Sequence, residues 1–322
     1  MAAAPSQYPR RDAARPDKGG TRKVIYAAIV ANLAIAAAKF VVAAITGSAA
    51  MAAEGVHSAV DTGNEALLLI GEKSANRPPD HTHPFGYGKA VYFWALIVAL
   101  SVFSLGGGVT IYHGVHGLLH PEPLGDPLWN YVVLAIAFVF EGYSWNLSRL
   151  GLNKTRKDGD NLWQTVRASK DASMFAVFIE DSAALLGLLV AAAGIALSQW
   201  TGNRLFDPAA SVVIGLLLVG AAFTLARETG ALLVGESVGR EETGALRDII
   251  CADVAIDKVD RVLTMQMGPD DILVTASVQF KRGMRIDEVE HAIERLENAV
   301  RAHNPAVRNL YFESAALRSS LR

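Results

Sequence analysis

The sequence predicts an all-α transmembrane bundle of six helices followed by a C-terminal cytoplasmic α+β domain of ferredoxin-like type. Three observations carry that prediction. Apolar runs long enough to cross a bilayer recur six times before residue 227. Basic residues alternate between the loops that join those runs. The composition then changes: residues 1–226 hold 33 of the 62 charged side chains, and the last 96 residues hold the other 29. That is about 15% charged against about 30%, where soluble domains run near 25%.

The whole-chain numbers exclude other classes. Lys+Arg number 30 and Asp+Glu 32, for a net charge of −2, over a chain that is 51% hydrophobic. That balance speaks against both a nucleic-acid-binding protein and a disordered one. Cys251 is the single cysteine, so neither an internal disulfide framework nor a Cys-rich zinc module is expected.

Residues 1–23 are rich in Pro, Arg, Asp and Gly and read as a disordered tail without a signal-peptide pattern. The six spans are placed at about 24–45, 49–72, 90–113, 128–149, 172–199 and 205–226. Each holds the roughly 20 residues that a membrane helix needs. Their many Ala and Gly residues suit close helix packing in lipid. The tail carries Arg10, Arg11, Arg15, Lys18, Arg22 and Lys23, while the first loop, Thr46-Gly47-Ser48, has no basic residue. Lys73, Arg77 and Lys89 follow span two, and residues 113–127 after span three have no Lys or Arg. Six basic residues follow span four, among them Lys154, Arg167 and Lys170, and only Arg204 follows span five. This alternation puts both termini in the cytoplasm. A bacterial inner membrane is the expected location.

Residues 227–322 alternate differently. A helix is expected at 240–252, strands at 259–267 and 272–280 around the turn Gly268-Pro269-Asp270-Asp271, a charged amphipathic helix at 286–302 and a last strand at 307–313. Such a unit is a small α+β domain. It has an exposed sheet edge or face to cover, so it is expected to make the chain a homodimer.

Span two carries Glu54, His57, Asp61, Asn64 and Glu65, which at 100° per residue share one stripe about 100° wide. Ionisable groups within a span are costly and face a bundle interior or water. His57 and Asp61 stand one turn apart and can share a metal ion; a hydrogen-bonded packing network is the alternative. Span five adds Glu180 and Asp181. One imidazole and three carboxylates suit Zn²⁺, and also Mn²⁺ or Fe²⁺. Adjacent helical residues diverge by about 100°. Asp181 is therefore assigned as a direct ligand, and Glu180 as a fourth or outer ligand. Lys39, deep in span one, calls for a carboxylate partner among Glu54, Glu65 and Glu141. Asp80, His81 and His83 form a cytoplasmic loop that either binds metal or pins spans two and three. His113, His116 and His120, with Glu122 beyond, follow at helical spacing at the end of span three.

These motifs resemble the cation diffusion facilitator family of divalent-metal/proton antiporters. His57-Ser58-Ala59-Val60-Asp61 matches the family's span-two motif. Thr46-Gly47-Ser48, the run His83 to Lys89, and Asp207-Pro208 also look like its members, and the resemblance covers roughly residues 24–315. The family's usual second motif on span five is incomplete, because Val177 stands where its first ligand should be. Glu180 takes that role in the branch around zinc transporter nine, which the Glu180-Asp181-Ser182-Ala183-Ala184 run and Arg77-Pro78-Pro79-Asp80 resemble. The resemblance implies a secondary active transporter rather than an enzyme, with no catalytic residues and no resident cofactor. It implies efflux of Zn²⁺, or of Fe²⁺, Mn²⁺, Co²⁺ or Ni²⁺, in exchange for protons by alternating access. Glu54, Asn64, Glu65 and Lys39 are expected to surround the ligands and couple the protons. The implied partners are the metal ion, protons, the bilayer and a second copy of the chain, with no nucleic acid. Two other classes fit less well. An intramembrane metallohydrolase would need a His-Glu-x-x-His pair, and a passive channel would need a ring or filter of acids along a pore.

Overall fold

The computed structural model describes residues 18–121, 126–153 and 170–314, together with residues 159, 161 and 164–166. Residues 1–17 of the expected tail, Glu122, and the basic residues Lys154, Arg156, Lys157 and Arg167 lie outside the described residues.

Six long helices occupy the positions of the apolar runs. They are α1 (Lys18–Thr46), α2 (Ala49–Ala75), α3 (Ala90–Leu119), α4 (Leu128–Asn153), α5 (Ala172–Thr201) and α6 (Phe206–Val234). By length and composition α3, α5 and α6 are able to cross a membrane, and Asn32–Thr46 of α1 is a shorter apolar helix. Polar groups dilute the others: α2 carries the stripe from Glu54 to Glu65, and α4 carries Glu141, Ser144 and Ser148.

Three boundaries differ from expectation by six residues or more, one of them the end of α3, which runs to Leu119 rather than stopping near residue 113. α1 begins at Lys18, so Lys18, Arg22 and Lys23 belong to its first turns rather than to a tail. α6 runs to Val234, past the charged pair Arg227-Glu228 that marks the end of its apolar run. Arg and Glu are good helix formers, so a helix leaving an apolar layer need not stop there. Gly235, at φ +123°, follows its last residue and caps it.

Small residues set the helix crossings. α3 and α6 approach so closely that a Cβ on Gly215 would lie 2.5 Å from Ile111 Cγ1 and 2.9 Å from the Ile111 backbone nitrogen. Within α3, residues Val102–Gly108 form a π-helical stretch that contains three consecutive glycines. At one end of the bundle α6 caps α2. Asp207 Oδ2 accepts from the Ala49 backbone nitrogen at 2.6 Å, and Oδ1 accepts from Ser48 Oγ at 2.6 Å. Ser48 Oγ in turn accepts from the Met51 nitrogen at 3.1 Å. A carboxylate here satisfies helix N–H groups that have no intrahelical partner and complements the positive end of the helix dipole.

The C-terminal unit comprises α7 (Arg240–Cys251), β1 (Ile256–Gly268), β2 (Asp271–Phe280), α8 (Ile286–His303) and β3 (Val307–Ser314). β2 is central, antiparallel to β1 and parallel to β3, so α8 is the crossover between β2 and β3. Ala292, Leu296 and Val300 recur every four residues along α8 and are buried in the core with Val274, Ala276 and Val278 of β2. This unit touches the bundle at the start of α3. A Cβ on Gly88 would collide with the Met267 carbonyl oxygen. Lys89 Nζ lies 3.4 Å from both Leu233 O and Met265 Sδ, and Lys170 pairs with Glu236 at 3.0 Å.

Candidate functional site

The stripe on α2 turns inward. Glu54, His57 and Asn64 are buried there, and Glu180 and Asp181 of α5 are buried opposite. Between α1, α2, α4 and α5 lies a cavity of about 40 Å³, lined by Asn32, Ser58, Asp61, Glu65, Glu141, Ser144, Val177, Glu180 and Asp181 among others. A single water needs about 10–15 Å³ by the same measure, so the cavity has room for an ion or for more than one water.

Its carboxylates are held by donors from several helices. Asn64 Nδ2 donates to Glu180 Oε1 at 2.8 Å. Ser144 Oγ and Ser148 Oγ of α4 donate to Asp181 Oδ2 at 2.9 and 3.3 Å. Asn32 Nδ2 of α1 donates to Glu65 Oε1 at 2.8 Å. Lys39, fully buried, donates to Glu54 Oε2 at 3.0 Å and to Ser58 Oγ at 2.8 Å, which selects Glu54 among its three expected partners.

Asp61, Glu180, Asp181 and Glu65 of the predicted set line the cavity; His57 does not. His57 Nδ1 stands 3.5 Å from Asp61 Oδ2. Both His57 ring nitrogens and Asp61 Oδ1 are buried without a hydrogen-bond partner. Among the described residues no three His, Cys, Asp or Glu side chains are grouped so as to hold a metal ion. The four expected ligands are thus neighbours across α2 and α5 without converging on one point. Buried polar groups are nearly always satisfied, so orphans beside a polar cavity mark where a ligand, ion or water belongs.

Sequence reasoning missed the serines and Asn32. Residues 141, 144 and 148 follow a 3–4 spacing that puts one acid and two hydroxyls on one face of an apolar helix, and that signal would have found them.

The loop after α2 is tied to itself. Asp80 Oδ1 accepts from Thr82 N, Thr82 Oγ1 and His83 N at 2.9, 2.7 and 2.8 Å, and Oδ2 accepts from Tyr87 OH at 2.7 Å. The Tyr87 hydroxyl, then Thr82, hold the Asp80 carboxyl well below the usual aspartate range. The His83 ring lies 4.1 Å from Tyr87 with planes inclined by 32°, and Arg77 sits 5.0 Å over the same tyrosine. His81 is exposed. His113, His116 and His120 are exposed at the far end of α3.

Among the described residues, three helices long and apolar enough to cross a membrane, packed with a carboxylate-lined cavity and a small α+β unit, mark a multi-pass integral membrane protein. The chain belongs to the cation efflux family, a family of transporters, whose transmembrane domain profile matches residues 25–234. It is 34% identical over 215 residues to the proton-coupled zinc antiporter SLC30A9, mitochondrial, of Xenopus laevis, covering 66% of this chain and 38% of that protein. It is 31% identical over 219 residues to metal tolerance protein C4 of Arabidopsis thaliana, covering 68% and 48% of the two chains. It is 26% identical over 230 residues to the cation-efflux pump FieF of Cronobacter sakazakii, covering 71% of each. The chain therefore spans well under two thirds of the SLC30A9 and metal tolerance relatives, and its similarity to the former places it in the zinc transporter nine branch.

Proposed function

We propose that this protein exports Zn²⁺ from the cytoplasm in exchange for protons, by alternating access of a site between α2 and α5. The observation that supports this reading best is the pairing of buried, unsatisfied His57 and Asp61 with the cavity that Glu180 and Asp181 line. In this reading His57, Asp61 and Asp181 bind the ion, with Glu180 fourth, and small shifts of α2 against α5 bring them together. Glu54, Asn64, Glu65 and Lys39 hold the ligands in place and shape the charge around them. Bound metal requires deprotonated ligands, so metal and protons compete for the same groups. The SLC30A9 relatives are named as proton-coupled zinc antiporters, which favours Zn²⁺ over Fe²⁺, Mn²⁺, Co²⁺ or Ni²⁺ as cargo.

All six long helices cross the bilayer in this reading. Both termini are cytoplasmic, the membrane is a bacterial inner membrane, and two copies pair through their C-terminal domains. Metal flux into proteoliposomes, measured for several divalent ions with and without an imposed pH gradient, tests the proposal. Zn²⁺ flux should depend on the gradient, and Asp61→Ala should abolish it while the variant still folds. Flux indifferent to the gradient would indicate a passive channel, and wild-type flux from Asp61→Ala would remove the site.

A further inference from the structure

His116 and His120 sit one turn apart at the end of α3, with ring centroids 4.8 Å apart and planes inclined by 33°. Both are exposed, and among the described residues neither ring has a hydrogen-bond or ion-pair partner. Tyr112, one turn earlier, stacks on His116 with ring centroids 6.2 Å apart and planes 17° from parallel. The opposite face of the same turns is fixed. Gly114 and Gly117 pack on Pro208 and Val212 of α6, where a Cβ on Gly114 would stand 2.7 Å from the Val212 backbone nitrogen. The backbone beneath His116 is therefore packed closely on α6, while both rings point away from that contact.

Two neutral imidazoles at this spacing are a chelating pair for borderline divalent cations. A tetrahedral ion with metal–nitrogen bonds of about 2.0–2.1 Å bridges nitrogens roughly 3.3 Å apart. The 4.8 Å centroid spacing reaches that separation when the rings rotate toward each other. The location also matters. The C-terminal domain meets the bundle at Gly88 and Lys89, just before α3 begins. His116 lies 26 residues beyond Ala90, about 39 Å along a helix. The pair thus shares the remote end of the bundle with Asp207 and the start of α2.

We propose that His116 and His120 form a second divalent-cation site, with two imidazole ligands and water at the remaining positions, at the bundle end remote from the C-terminal domain. It takes Zn²⁺, Co²⁺, Ni²⁺ or Cu²⁺. Its role rests on the antiport reading: an ion leaving the α2–α5 site on that side is held there before it diffuses away. Its existence does not depend on that reading.

The full chain in lipid nanodiscs tests this. Cu²⁺ electron paramagnetic resonance should show coupling to two nitrogens that His116→Ala and His120→Ala each reduce, that the double variant removes and that His113→Ala leaves intact. Equilibrium dialysis with Zn²⁺ should show the loss of one bound ion per chain in the first two variants alone. All three residues are exposed, so the variants should fold like the wild type. An unchanged spectrum and an unchanged ion count in His116→Ala/His120→Ala overturn the site. Zn²⁺ flux of the wild type in proteoliposomes decides the antiport reading separately, since absent flux would leave the binding result standing.

Discussion

Lys39 reaches across from α1 to Glu54 of α2, 3.0 Å from nitrogen to oxygen, with neither side chain exposed. Glu54 Oε1 has no hydrogen-bond partner, and it faces Gly187 of α5, where a Cβ would stand 2.5 Å away. Removing one member strands a buried charge, at a cost of about 3–5 kcal/mol, whereas replacing both with apolar groups costs far less. Lys39→Met should therefore unfold at a markedly lower temperature than Lys39→Met/Glu54→Met. Thermal melts of both in nanodiscs check this, and strictly additive losses would show that the two groups do not interact.

Asp207 caps a helix of which it is not a part. Asp207→Ala should cost about 1 kcal/mol, the usual scale for a lost N-cap. Amide exchange should speed up at residues 49–51 and stay unchanged at the other end of α2. Uniform acceleration along α2 would assign Asp207 another role.

Val177 lines the cavity beside Asp61, Glu180 and Asp181 but has no atom to offer a metal. Val177→His supplies a nitrogen donor there. Zn²⁺ affinity by calorimetry should tighten roughly tenfold or more, the scale on which single changes around a bound metal register. An unchanged affinity would place the bound ion elsewhere.

The Asp80 carboxyl is held low chiefly by the Tyr87 hydroxyl. A carboxyl with a depressed folded-state pKa adds stability that is complete above its unfolded value of about 3.9 and is lost as pH falls below it. Tyr87→Phe removes the largest of those donations. The wild type should therefore lose more of its stability than Tyr87→Phe on acidification through that window. Parallel melting curves against pH would show that Tyr87 does not set the Asp80 carboxyl.

Gly88 leaves no room for a side chain against Met267. Gly88→Ala should cost about 1–3 kcal/mol as overpacking and should loosen β1 from the bundle. Faster proteolysis near Gly235 in the variant is the expected sign, and an unchanged digestion pattern would count against a close contact there.

The helices and strands were largely legible because their signals are periodic and long. Apolar runs gave α3, α5 and α6, and strand alternation with the turn from Gly268 to Asp271 gave β1 and β2. Helix ends were less legible. Arg227 and Glu228 look like a boundary, but charge does not break a helix, and Gly235 does. The site was half legible. Its acids stand out against apolar neighbours, so Asp61, Glu65, Glu180 and Asp181 are singled out by the sequence, and the structure places all four along one cavity. Single hydroxyls and amides such as Asn32 are common in membrane helices and give no comparable contrast; Ser144 and Ser148 show only through their 3–4 spacing with Glu141. Whether His57 shares the cavity with Asp61 depends on helix rotation of a few tens of degrees, which residue spacing does not fix.

The cap on α2 has a mechanical meaning. Asp207 binds the first turn of α2 at Ala49 and Ser48, so that end is hinged to α6. Asp61 lies twelve residues away, about 18 Å along the helix axis. With that end pinned, any tilt of α2 would swing Asp61 about the cap as the far arm of a lever. A tilt of about 10° moves Asp61 by about 3 Å, more than a whole zinc–oxygen bond of about 2.0–2.2 Å. In the transport reading proposed above, where Asp61 binds the ion, such a tilt about a shut hinge would open and close the ion's coordination sphere.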